Sequence, residues 1–354
     1  MTVSDGAMTA YRLTRWGGPP ERVEVPVPRP GPGQVLVEVA GCGLCHSDLA
    51  MAAMPGEVGE ALGWRVPFTL GHEVGGTVAE RGEGVDGPPV GTPVVVASPG
   101  ACGTCWHCRT GSDSACPRGD VGRGYGRDGG LARFVLVDDP GALVVLPEGL
   151  DPRRAAPLTD AGATSHHAVR RALAVPDVDV AVVIGVGGLG SFVVQILRAR
   201  GVPTVVAVDT DPARREAALA LGADRALDGA GDELGGALRA TGRGGRGGVD
   251  AVIDVVGVDD TIRSGLAALR RGGAFVLVGA GPGTLRRPWF GTLPREATVT
   301  AVQGSSRADL GAVVDLAAEG RVTVPVDEYP LAEVESAYAA LDAATLTGRA
   351  VVVP

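Results

Sequence analysis

Lysine and asparagine are absent from all 354 residues, and isoleucine occurs only four times. Without lysine the chain has no Schiff-base nucleophile, no amine to anchor pyridoxal phosphate, and no Gly-Lys-Ser/Thr phosphate loop. Every one of its 32 Lys-plus-Arg cations is therefore an arginine, set against 41 acids for a formal net charge of −9. That balance argues against a surface built for nucleic acid, which needs clustered cations. Aromatic residues are only 4%, yet hydrophobic residues reach 45% and charged residues 21%, which excludes a disordered chain. The length suffices for two hydrophobic cores. No charged segment leads into an apolar one at the N-terminus, so no secretory signal is read. The uncharged run at residues 180–197 imitates a membrane span, but four glycines interrupt it and its first half reads as a strand. We therefore expect a cytoplasmic protein with no membrane partner, whose six cysteines bind metal or do chemistry rather than form disulfides.

The texture of the chain changes near Asp151 and again near residue 300. Before residue 150 it reads as short strands and turns, including residues 22–27, 34–39, 93–97 and 134–137, with no long helical period. Residues 152–171 read as one helix. Strands at 180–185, 204–209, 251–256 and 274–279 then alternate with helices at 189–200 and 213–221. Such alternation predicts a parallel, doubly wound sheet. Short mixed elements return after residue 300. The expected class is α/β, with a β-rich domain at 1–159 and 304–354 interrupted by a doubly wound coenzyme domain at 160–303.

Residues 181–190 read AVVIGVGGLG, placing Gly185, Gly187 and Gly190 at G-x-G-x-x-G spacing between a strand and a helix. Such a turn suits a dinucleotide: a tight bend, close backbone approach to a pyrophosphate, and a helix N-terminus facing the anion. Gly188 and Leu189 complete the turn. Asp209 ends the next strand, 19 residues past Gly190, where a carboxylate can accept both ribose hydroxyls and repel a 2′-phosphate. This favours NAD over NADP. Two alternatives stay open: Asp209 is an ordinary acidic strand end, or Arg214 nearby holds a phosphate.

Cys102, Cys105, Cys108 and Cys116 lie in CGTCWHCRTGSDSAC. Four thiolates this close can surround one tetrahedral Zn²⁺, and a closed four-sulfur site has a structural role. An iron–sulfur cluster or disulfides remain as alternatives at this point; His107 inside the loop reads as exposed. Cys45 in GLCHSD and His72 in LGHEVGG are a second, incomplete ligand set, 27 residues apart.

Six motifs in order give the chain a resemblance to the zinc-dependent medium-chain alcohol dehydrogenases. They are GLCHSD at 43–48, LGHEVGGTV at 70–78, the cysteine loop, PLTDAGATS at 157–165, GVGGLG at 185–190 and GRAVVVP at 348–354. The resemblance implies a GroES-like β-rich catalytic domain and a Rossmann coenzyme domain. It implies two Zn²⁺ per subunit, the catalytic one on Cys45, His72 and Asp160. Asp160 stands where many relatives carry cysteine, as in a bacterial branch that includes broad-range secondary-alcohol dehydrogenases. It further implies that Asp48 orients His72, that Glu73 lies behind the metal, and that Ser47 takes the alcohol proton. Thr164 would meet the nicotinamide, Arg349 the pyrophosphate, and His46 the coenzyme or the proton relay. Ala50 departs from relatives that end the relay on histidine.

The expected function is reversible hydride transfer between an alcohol and NAD. The alcohol is read as secondary, medium-sized or cyclic, because the presumptive pocket segments 49–54, 64–68 and 302–303 have few bulky side chains. A dedicated biosynthetic ketoreductase with one elaborate substrate is the alternative. A zinc-free enone or quinone reductase of the same fold should lack Cys45, His72 and the cysteine loop together, and a non-catalytic relative should have lost them or Asp209. A homodimer or homotetramer is expected. Cys42 reads as a small buried residue, Glu57 and Glu60 as solvated, and His166 and His167 as half-exposed helix positions.

Overall fold

A computed structural model describes residues 6–98, 100–231, 233–286, 288 and 290–354. The chain divides into two compact units, one of residues 1–163, 304–318 and 323–354, the other of residues 164–303 and 319–322.

The first unit is a GroES-like β structure. Its larger sheet runs, in spatial order, Leu143–Val145, Pro93–Val96, Glu73–Arg81, Val35–Gly43, Arg349–Val353 and Val326–Pro330, with Phe134–Val137 also paired to Val35–Gly43. A three-stranded sheet orders Glu21–Pro26, Ala7–Leu13 and Phe68–Thr69. The antiparallel pair Val35–Gly43 and Glu73–Arg81 positions the chemistry. Gly43 sits opposite Glu73 in its register. The chain leaving Gly43 reaches Cys45 two residues later, and His72 immediately precedes Glu73, so both side chains lie at one end of the pair.

Strand Glu73–Arg81 begins EVGG and gives little strand signal, because glycine adds nothing to a pleated surface. The structure explains the composition. A Cβ on Gly75 would stand 1.9 Å from the Pro152 carbonyl oxygen, so only glycine lets the 152–160 segment lie against this strand. That segment differs from the single helix expected over 152–171. It is a short helix Pro152–Ala155, a 3-10 turn Ala156–Thr159 and a helix Ala161–Ala172, with Asp160 at φ −121°, ψ −68° between them. Pro157 has no N–H to continue the ladder, and its ring crowds the preceding turn. The break leaves Asp160 at a joint, beside the strand that starts at Glu73.

The second unit is a Rossmann-type α/β layer structure. Its six strands are all parallel, in the order Arg225–Asp228, Thr204–Asp209, Val180–Ile184, Val249–Asp254, Leu269–Leu277 and Thr298–Ala301. Val180–Ile184 and Thr204–Asp209 are buried along their whole length, as expected of parallel strands covered on both faces. Val182, Val206, Val252, Leu238 and Phe275 are at the centre of the core. The strand order reverses between Val180–Ile184 and Val249–Asp254, and ligands of such sheets bind beyond the carboxyl ends at that point.

Further departures concern helices. His46–Ala52 and Gly56–Ala61 are helical within the stretch read as helix-poor, and residues beyond 300 hold two full helices, Arg307–Ala318 and Val334–Asp342. His166 is 3% exposed rather than half-exposed, with Nε2 2.5 Å from Arg200 Nη2. Cys42 is fully buried, and Glu57 and Glu60 are exposed. Among the described residues no helix is long and apolar enough to cross a membrane.

Candidate active site

Cys45, His72 and Asp160 come together in the first unit, each offering one ligand atom, all within 4.8 Å of one another. His72 Nε2 is 3.4 Å from Asp160 Oδ2. On the other side of the ring, His72 Nδ1 is 3.0 Å from Asp48 Oδ1, while Asp48 Oδ2 accepts the Cys45 N–H at 3.0 Å. Asp48 is 1% exposed although it is an acid, so the fold shields this carboxylate against the imidazole. The arrangement turns Nε2 toward Cys45 and Asp160, as a carboxylate behind a metal-binding histidine does. Burial disfavours charge on His72, but Asp48, Asp160 and Cys45 outweigh it and raise its pKa well above the usual value. A donor set that forces a proton onto a buried imidazole is one that attracts a cation. A thiolate, an imidazole and a carboxylate suit zinc.

Glu73 is fully buried behind this cluster. Its Oε1 accepts Arg349 Nη2 at 2.6 Å and the Ala161 N–H at 3.3 Å, while Oε2 has no protein partner. Burial raises its pKa to about 7 even though Arg349 opposes the shift. Arg349, expected at a pyrophosphate, is spent inward: it is 6% exposed and also donates to the Leu44 carbonyl at 2.9 Å. Burial works against the charge on Arg349, but Glu73 above all, with the neighbouring Cys45 and Asp160, outweighs it and raises the guanidinium above its ordinary pKa. Ser47 Oγ stands 3.4 Å from His72 Nε2, on the exposed first turn of its helix, and His46 beside it is exposed.

Tyr125 and Trp64 were not singled out from the sequence as individual site residues. The Tyr125 ring meets His72 edge-on at 6.1 Å between centroids, its hydroxyl donates to the Ser98 carbonyl at 2.7 Å, and Trp64 leans on it at 6.1 Å. Together they form an aromatic wall beside His72. Tyr125 lies in GYGRDGG, a turn-rich stretch with no periodicity to mark it.

The four-cysteine loop also closes. Sγ–Sγ distances are 3.5 Å for Cys105–Cys108 and 3.8 Å for Cys102–Cys108 and Cys105–Cys116. Four sulfurs around a tetrahedral zinc at ~2.3 Å each stand about 3.8 Å apart, whereas a disulfide needs ~2.05 Å. N–H groups of Thr104 and Cys105 help lower the Cys102 thiol to about 5, while burial and the neighbouring sulfurs push Cys108 up to about 12, so without a cation the cluster does not hold four thiolates. His107 faces Trp106 rather than the sulfurs.

In the second unit the glycine turn has the geometry a dinucleotide needs. Gly185 has φ +85°, and a Cβ on Gly190 would stand 1.9 Å from the Gly185 carbonyl oxygen. Gly187 leaves open space, with Arg214 Nη1 3.6 Å from where its Cβ would be. Gly188 and Leu189 lead into the helix Gly190–Ala199. Asp209, 8% exposed, accepts the Val186 N–H at 2.9 Å on Oδ2 and the Asp211 N–H at 3.0 Å on Oδ1. Each oxygen keeps a second lone pair, which fits two ribose hydroxyls. Arg214 lies 3.8 Å from Asp211 Oδ2, so a competing carboxylate already engages it. Thr164 is buried near the start of the helix Ala161–Ala172.

Two protein-family descriptions match the chain: "Alcohol dehydrogenase GroES-like domain" over residues 31–148 and "Zinc-binding dehydrogenase" over residues 188–319. The NAD-dependent alcohol dehydrogenase of Sulfurisphaera tokodaii is 34% identical over 98% of this chain and 100% of its own. The solved alcohol dehydrogenase of Aeropyrum pernix is 33% identical, with a TM-score of 0.87 over 98% of this chain and 100% of its own. The acetophenone reductase of Geotrichum candidum, solved with NAD, is 27% identical, with a TM-score of 0.85 over 100% of this chain and 99% of its own.

Proposed function

The chain belongs to the zinc-dependent medium-chain alcohol dehydrogenase family, and from that premise we propose that it transfers hydride reversibly between a secondary alcohol and NAD. The convergence of Cys45, His72 and Asp160 beside Ser47 carries the reading. Those three residues would hold the catalytic zinc, and Cys102, Cys105, Cys108 and Cys116 a second, structural one. Bound zinc supplies a Lewis acid that makes an alcohol proton far more acidic, and bound NAD supplies the hydride acceptor.

The side chains do the rest. Ser47, within reach of the same corner, accepts the hydroxyl proton and hands it to water or to His46 on the exposed helix turn. Asp48 keeps the His72 ring fixed, and Glu73 with Arg349 anchors the floor beneath Asp160. Trp64 and Tyr125 exclude water and favour an apolar substituent. In the second unit, Gly185, Gly187 and Gly190 make room for the pyrophosphate, and Thr164 contributes to the nicotinamide end.

Asp209 supports NAD over NADP, because a carboxylate repels a 2′-phosphate. NAD should exceed NADP in kcat/KM at least ~10-fold, about 1.4 kcal/mol. Asp209→Gly should narrow that gap by removing the repulsion and leaving Arg214 to meet the phosphate. Equal use of both coenzymes by the unmodified protein would refute the assignment.

The aromatic wall supports medium-sized or cyclic secondary alcohols over ethanol, since each buried CH₂ contributes ~0.8 kcal/mol. The similarity to an acetophenone reductase agrees with that preference. Initial rates of NAD reduction with ethanol, 2-butanol, cyclohexanol and 1-phenylethanol test it. A kcat/KM for ethanol above all the others would sink the substrate reading and leave the metal reading standing. The strand Thr298–Ala301 is the edge of its sheet, with no partner on its outer side among the described residues, and Val299, Leu285 and Phe290 are 37%, 52% and 80% exposed, which supports assembly into a homo-oligomer.

A further inference from the structure

Tyr338 is a buried phenol that the reading above leaves without a role. It sits on the helix Val334–Asp342, which packs against the helix His46–Ala52 that carries Asp48. It is 7% exposed, and its ring stacks on Tyr11 at 5.9 Å and 27°. Its hydroxyl is buried without a well-formed hydrogen bond. Asp48 Oδ1 is in the same condition: it approaches His72 Nδ1 to 3.0 Å but closes no bond of good geometry. Two buried orphans, a donor and an anionic acceptor, are costly apart, because each loses water without replacement. They are carried on two helices that pack together, and after burial Asp48 is the largest influence on the Tyr338 hydroxyl. Burial and that carboxylate hold the phenol well above its ordinary pKa, so it remains an O–H donor.

We infer that Tyr338 is a positioning residue for the metal site: its hydroxyl donates to Asp48, fixing the carboxylate that aims His72. The chain Tyr338, Asp48, His72 reaches from the C-terminal helix to the metal-facing nitrogen. It lies wholly within the first unit. Tyr338 is buried and acts only through Asp48. The stacked Tyr11 supplies a comparison residue, because it packs on the same ring.

The inference rests on the proposed zinc site, and the test separates the two. Tyr338→Phe removes one oxygen and keeps the stack, and Tyr11→Phe serves as the control. Zinc-loaded proteins are challenged with a chromophoric chelator, and cobalt-substituted proteins are examined by visible absorption. Loss of a partner directly behind a ligand costs ~10–100-fold in metal affinity, so a residue one step further out should cost roughly 3–10-fold. Tyr338→Phe should therefore release the labile metal roughly 3–10-fold faster and shift the cobalt ligand-field bands. Tyr11→Phe should do neither, and both variants should remain folded at the assay temperature, with Tyr338→Phe melting a few degrees lower at most. Release kinetics and cobalt spectra unchanged in Tyr338→Phe overturn the positioning role while leaving the site intact. An unmodified protein with no chelator-labile zinc overturns the site and the inference together.

Discussion

Asp160→Asn should give a folded protein that has lost its labile zinc and nearly all of its turnover. The substitution is almost isosteric but removes one of the two negative ligands that, with neutral His72, balance a divalent ion. Asp160 sits at the joint that Pro157 creates, with a side chain 21% exposed, so its loss opens no cavity in a core. The metal, by contrast, loses a strong donor at a site with three protein ligands. Lewis-acid stabilisation is worth several kcal/mol, so kcat should fall by roughly 10³-fold or more. Metal analysis should drop from two zincs per chain towards one, while NADH binding, which depends on the second unit, is retained. Two zincs and near-normal turnover would show that Asp160 is no ligand and turn attention to Glu73. Its Oε2 is a nearby buried carboxylate oxygen without a protein hydrogen-bond partner.

Local patterns made the coenzyme turn and the cysteine loop readable. In each, the residues that act together are close in sequence and the chemistry sets the spacing. The Rossmann unit was readable for a related reason, since parallel strands such as Val180–Ile184 are buried on both faces and read as apolar runs. Cys45 and His72 were different. Nothing in a 27-residue gap reveals that Gly43 and Glu73 are opposite one another in an antiparallel pair. Only the resemblance suggested the pairing. The strand Glu73–Arg81 was unread because close contact with residues 152–160 demands glycine, which suppresses the β signal. Tyr125 and Tyr338 were invisible because their partners, His72 and Asp48, are distant in sequence. Arg349 was marked by its motif, but its bond to Glu73 was not. A guanidinium free to meet a phosphate and one buried on Glu73 look the same in GRAVVVP.

Cys105→Ser should fail in the opposite way, losing structure and keeping chemistry. The loop from Cys102 to Cys116 buries little of its own: Asp113 and Cys116 are its buried residues, and Trp106 is 67% exposed. Apolar packing therefore cannot order it, and the thiolate cluster must. Beyond the sulfurs, Asp113 accepts the Arg307 N–H at 2.8 Å and ties the loop to the helix Arg307–Ala318, while Thr104 accepts from the exposed Arg118 at 2.9 Å. With three sulfurs left, the site should release its ion, and so few side-chain bonds cannot hold 15 residues against their conformational entropy. Trypsin should then cut rapidly at the exposed Arg109 and Arg118, which the intact loop protects. Thermal inactivation should move down by roughly 10 °C, since loss of ~3 kcal/mol shifts a domain of this size by several degrees per kcal/mol. The labile zinc on Cys45, His72 and Asp160 should stay, so uncut protein should retain most of its kcat. The two substitutions thus dissect the two sites: Asp160→Asn loses turnover without nicking, Cys105→Ser is nicked before it loses turnover. A Cys105→Ser protein that keeps two zincs and resists trypsin would remove the loop's metal from the account, and a purified parent with iron–sulfur colour would replace zinc there with a cluster.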